Sequence, residues 1–168
     1  RPDLAGLPRA AVGMSGGAMV LPQVVAREPA RYSGAVLIAG GVDYLRILLD
    51  SNYSDWIDAV RLRLPGGAEG TRVRAALIDG YRRHAGLDSA DCLPALAGKR
   101  VLVLHAASDR AVPADLGEEM WRGLGEPERW VFSGGHEILF LMLPAQLERL
   151  ATWLDENVGG GAGTPAPA

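Results

Sequence analysis

Strand and helix signals alternate along this chain, which predicts an α/β fold: a mostly parallel sheet with helices on both faces. The strand candidates support this class, because they are nearly continuous apolar runs, as strands buried on both faces require; residues 33–39 read SGAVLIA and 100–105 read RVLVLH. The 168 residues, 48 % hydrophobic and 22 % charged, also suffice for one domain with its own core.

Taken in order, residues 9–12 (RAAV) form a short apolar run that stops at Gly13. A helical stretch follows over 16–28, with Pro22 inside it expected to kink it. The SGAVLIA strand is closed by Gly40 and Gly41. Residues 42–91 lie between two strands and are far longer than one crossover requires. Apolar-faced helices are expected there at 44–49, 56–64 and 71–84, together forming a helical cap over the carboxyl ends of the strands or an extended crossover. After the RVLVLH strand, residues 113–123 read as a helix with proline at its start and acids in its first turns. A fourth strand at 128–132 (ERWVF) is closed by Ser133-Gly134-Gly135. Residues 144–157 (PAQLERLATWLDEN) make a terminal helix with Leu147, Leu150, Trp153 and Leu154 expected on one face. The domain is thus expected to span 1–158, and the small residues, glycines and prolines of 159–168 to form a flexible tail.

Composition removes several function classes. The net charge of −3 is spread without a basic block, so no nucleic acid is expected as a partner. The longest apolar runs, 35–39 and 138–143, are too short for a membrane span. Cys92 is the only cysteine, which excludes an internal disulfide and a cysteine-built zinc site. His84, His105 and His136 are far apart, without ligand spacing, so neither a metal nor another cofactor is expected. The chain begins Arg1-Pro2-Asp3 without an initiator Met, as a piece of a longer polypeptide would, and the compartment stays open.

Three residues carry the chemistry. Gly13-Met14-Ser15-Gly16-Gly17 matches G-x-S-x-G between a strand and a helix, the setting of a nucleophile elbow. The elbow strains the serine backbone, and side chains at Gly13 and Gly17 would collide with strand and helix. Such a turn lifts the Ser15 hydroxyl above the sheet and leaves the Gly16 N–H as an oxyanion donor. The plainer reading is a glycine-rich helix start with Ser15 as its N-cap. His136 follows the fourth strand, in a flexible loop at the carboxyl edge, where many histidines are merely solvated. Asp109 follows the third strand, where an aspartate can equally be a turn residue. Taken together, Ser15, Asp109 and His136 lie at the carboxyl ends of three separate parallel strands, in the chain order of a hydrolase triad.

These segments resemble the carboxyl-terminal half of the α/β-hydrolase superfamily, from the elbow onward. GMSGG resembles the elbow, HAASDRAVP the loop carrying the acid, and SGGHE the histidine loop; the resemblance runs over 10–158. Family members often show H-G-x-x-D-x-x-V-P at the acid loop, and Ala106 replaces the usual glycine here. The resemblance implies Ser15 as nucleophile, His136 as general base and then acid, Asp109 as its orienter, and Gly16 N–H as one oxyanion donor. It also implies that four of eight strands are absent, leaving the elbow strand as an open edge, so a missing N-terminal half or a partner chain is expected to supply the rest. Asp43, after the second strand, is a rival for the acid; Glu137 adjoins His136 but should point away from it. His105 reads as structural, His84 as solvated and Cys92 as a small buried residue. The expected activity is a serine hydrolase acting on a small-molecule carboxylic ester, with a peptidase or thioesterase using the same machinery. The alternative from a different class is a non-catalytic ligand-binding or interaction protein on the same scaffold.

Overall fold

A computed structural model describes residues 6–54 and 63–160. Four strands, β1 (Ala10–Met14), β2 (Gly34–Ile38), β3 (Arg100–Ala106) and β4 (Glu128–Phe132), form one parallel sheet in the order β1-β2-β3-β4. Their register aligns the carboxyl ends, with Met14 opposite Ile38, Ile38 opposite Leu104 and Leu104 opposite Trp130. Side chains alternate between two buried layers. Ala35, Leu37, Val101 and Val103 pack against Ala18, Leu21 and Val25 of helix α1 (Gly16–Arg27) and Met120 of α5 (Ala114–Gly123). Val36, Ile38, Leu102 and Leu104 pack on the other face against Leu139 of α6 (His136–Met142) and Leu150 and Trp153 of α7 (Leu147–Leu154). Each fully buried Leu or Ile in these layers stabilises the fold by about 1.5–3 kcal/mol, and both faces must be filled because the strands carry no polar side.

Between β2 and β3 run α2 (Tyr44–Asp50), α3 (Gly67–His84) and the short α4 (Ser89–Cys92). The helix expected at 56–64 falls mainly on residues 55–62, outside the described residues, and Arg63 and Leu64 are not helical. Of the expected tail, 161–168 also lies outside the described residues. Asp88 fastens this insertion to the sheet: its buried carboxylate accepts from the backbone N–H groups of Asp43, Tyr44 and Ala90 and from the Tyr81 hydroxyl.

Helix α1 runs through Pro22 to Arg27, as the expected stretch over 16–28 does. Two expectations change. The terminal helix is a 3-10 turn (Leu143–Gln146), then α7, then a π-helical turn (Asp155–Gly159), and Leu147 is 56 % exposed while Leu150 and Trp153 are buried. At 3.6 residues per turn Leu147 lies roughly 90° from the midpoint of Leu150 and Trp153, too far around to share their face. Finally, His136 does not sit in a flexible loop. It opens α6 and is buried, because the apolar stretch behind it coils into a helix that seats Leu139 in the core.

Candidate active site

Ser15 occupies the turn between β1 and α1 with φ 51° and ψ −120°, a conformation that costs a non-glycine residue about 1–3 kcal/mol. Its neighbours hold it there. Ser15 N–H donates to Ile38 O at 2.8 Å, and Ser15 O accepts from Ala18 N–H at 2.9 Å. The close approach of strand and helix explains Gly13: a Cβ there would stand 2.5 Å from Gly17 O and 2.8 Å from Ala18 Cα. At Gly17, by contrast, an added Cβ meets nothing within 4 Å, so the collision expected from the sequence is absent at that position. Gly16 is the first residue of α1, where backbone N–H groups lack helical acceptors and the helix dipole favours negative charge.

The Ser15 side chain makes no capping hydrogen bond to α1. Its Oγ lies instead 2.9 Å from His136 Nε2. His136 Nδ1 lies 2.7 Å from Asp109 Oδ2. Because a carboxylate only accepts, Nδ1–H donates to Asp109 and Nε2 is left to accept from the Ser15 hydroxyl. The other Asp109 oxygen accepts from the N–H groups of Ala111 and Val112, both at 2.9 Å, so the carboxylate is clamped by its own loop. Asp109 and His136 are buried and Ser15 is partly exposed, so a buried imidazole–carboxylate pair lies beneath a reachable hydroxyl. The two loops are tied by Ser108 N–H donating to Gly134 O at 3.1 Å. Two rings flank the imidazole edge-on: Tyr53 at 5.9 Å and Phe140 at 5.0 Å between centroids.

The structure therefore brings Ser15, Asp109 and His136 together and leaves the rivals elsewhere. Asp43 caps α2, accepting from Arg46 N–H, and its other oxygen accepts from Arg82 Nε at 2.8 Å. Glu137 is exposed and accepts from the Tyr53 hydroxyl at 2.5 Å, a bond that chiefly holds its carboxyl below the usual range. His105 is partly buried; burial, then Arg129, pushes it below the usual imidazole value. His84 is exposed. Burial, then Asp91 and Asp88, pushes the Cys92 thiol up, the reverse of an activated nucleophile. Phe140 was not foreseen; its spacing of four residues from His136 is the signal, once that segment is recognised as helical. Beside Ser15 opens a cavity of about 300 Å³, walled largely by α2 and the loop after Asp109. Among the described residues no group of three or more His, Cys, Asp or Glu is placed to hold a metal, and no helix is long and apolar enough to cross a membrane.

No protein-family model matches the chain, and no curated protein does. Solved structures do. An acylaminoacyl peptidase of Pyrococcus horikoshii matches over 98 % of this chain with TM-score 0.69 and 13 % identity. An esterase of Pyrococcus furiosus, Pf2001, matches over 89 % with TM-score 0.59 and 13 % identity. BpoC of Mycobacterium tuberculosis, described as a candidate non-heme bromoperoxidase, matches over 92 % with TM-score 0.54 and 21 % identity. The chain spans 26 % of that peptidase, 54 % of that esterase and 69 % of BpoC. At such identities the likeness is one of fold.

Proposed function

Since this chain has the α/β-hydrolase fold, we propose that it is a serine hydrolase that cleaves a carboxylic ester through an acyl-enzyme, with Ser15, His136 and Asp109 as its triad. His136 Nε2 takes the Ser15 proton as Oγ attacks the ester carbonyl. The oxyanion forms against Gly16 N–H at the start of α1. On collapse the C–O bond breaks and His136 returns the proton to the departing alcohol. Water then attacks the acyl-enzyme, giving its proton to His136; the acyl C–Oγ bond breaks, His136 passes that proton to Ser15 Oγ, and the acid leaves. Asp109 keeps the imidazole in the Nδ1–H tautomer and stabilises the imidazolium. The second oxyanion donor that acyl transfer uses is assigned to chain lying along the free edge of β1, from a longer form of this polypeptide or a partner. The segment 42–91 acts as a cap that shapes the substrate site.

The observation that carries this reading is the use of the Ser15 hydroxyl. A helix-capping serine spends its oxygen on the first-turn N–H groups; Ser15 Oγ is at His136 Nε2 in a backbone conformation that otherwise has no benefit. The named neighbours, a peptidase and an esterase, leave amide and ester cleavage both within reach of the same groups. The test is labelling with a fluorophosphonate, read by intact mass on the chain and on Ser15→Ala. One adduct on the parent and none on the variant is expected. A parent that takes no adduct, or a variant that still takes one, overturns the assignment.

A further inference from the structure

The cavity beside Ser15 has a consistent chemistry. Met19, Ile47, Leu48, Ala111 and Val112 supply apolar walls, and among the described residues no charged side chain lines it. Apart from Ser15, three of its four hydroxyls, those of Tyr44, Tyr53 and Ser54, donate to the protein itself. Tyr44 donates to Met19 O and Ser54 donates to Leu48 O, both at 2.5 Å. Ser51 Oγ accepts from Tyr53 N–H, and the Tyr53 hydroxyl donates to Glu137. A charged group entering here would lose its water and find no countercharge among the described lining residues. The departing alcohol must lie against His136 Nε2, which gives it a proton, and His136 is not part of the cavity wall. The cavity therefore belongs to the other side of the scissile bond.

We infer that this cavity is the acyl pocket, and that it selects esters of short, uncharged aliphatic acids. The inference rests on the serine-hydrolase reading for its catalytic meaning, and on the cavity alone for binding. At about 300 Å³ the space lies at the lower end for small-molecule sites. A space of that size suits a short acyl chain better than a long one. Leu48, half-buried on α2, is one of its apolar walls.

Two measurements test this and separate the two readings. Hydrolysis of p-nitrophenyl acetate, hexanoate, palmitate and hemisuccinate is compared, with active sites counted by fluorophosphonate. Hexanoate is expected to exceed each of the others by about tenfold or more in kcat/KM. Leu48→Trp should move the optimum to acetate while fluorophosphonate labelling persists. Independently, ethyl hexanoate should raise the melting temperature of the Ser15→Ala chain, and ethyl hemisuccinate should not; Leu48→Trp in that background should remove the effect. Equal turnover of hexanoate and hemisuccinate, or an unchanged profile in Leu48→Trp with labelling intact, overturns the pocket and leaves the hydrolase standing. Absent labelling with ethyl hexanoate still stabilising the Ser15→Ala chain overturns the hydrolase and leaves the apolar binding site. No stabilisation by ethyl hexanoate overturns the site itself.

Discussion

At Ser15 the backbone is strained while the side chain is well served, and that combination makes single substitutions informative. Gly13→Ala would push a Cβ into Gly17 O and Ala18 Cα, backbone atoms that cannot step aside. Its expected effect is a loss of about 2 kcal/mol or more in denaturant unfolding, together with a collapse of serine labelling. Gly17→Ala meets open space and trades a glycine for the best helix former, so it should gain up to about 1 kcal/mol and keep labelling. If the two variants behave alike, the close approach of β1 and α1 is not what sets the elbow. Asp109→Asn should lower kcat by about 10⁴-fold, because an amide cannot hold the Nδ1–H tautomer with the same charge complement. Asp43→Asn should leave the catalytic rate of the folded fraction within a few-fold, since its oxygens serve Arg46 and Arg82. The reverse ranking in single-turnover kinetics would make Asp43 the orienting acid.

At the scale of elements, the joints decide behaviour. The insertion between β2 and β3 is held at Asp88, where burial alone would raise the carboxyl; the N–H groups of Ala90, Tyr44 and Asp43 and the Tyr81 hydroxyl outweigh it, and the net shift is downward. A folded pKa below the unfolded one means stability that is complete above the unfolded value, about 4, and lost as pH falls through the folded value. Melting temperatures measured from pH 6 to pH 3 should therefore converge for the parent and Asp88→Asn, the gap being largest at neutral pH. A gap that stays constant to pH 3 would mean that the Asp88 charge contributes nothing. The strands and most of the helices were legible because each is an apolar run bounded by Gly, Pro or a cap. Helix α6 was not, since HEILFLM has no 3.6-residue alternation; Ile138, Leu141 and Met142 are exposed while Leu139 is buried. Leu147 failed for a related reason: a list of leucines on one helix says which residues are apolar, whereas angular position relative to the sheet says which of them are covered.

For the whole molecule, the sheet order leaves β1 paired with β2 alone among the described residues, with Val12 52 % and Met14 47 % exposed along that edge. An apolar strand with one edge unpaired is a template for association. Light scattering at micromolar concentration should give a mass above the 17.8 kDa of one chain, and Val12→Lys should return it toward that value. A strictly monomeric parent would show that the edge is already shielded. The sequence by itself determined the fold class and singled out Ser15, Asp109 and His136 as candidates at the carboxyl ends of three strands. Apolar runs demand burial on two faces, and a parallel sheet built from them delivers its loops to one edge. Tertiary structure alone decided the rest: that Ser15 Oγ goes to His136 instead of capping α1, that Asp109 and not Asp43 receives Nδ1–H, and that α2 walls an apolar cavity beside the serine. Those outcomes depend on distances between residues far apart in the chain, such as 121 positions between Ser15 and His136, and no local pattern encodes them.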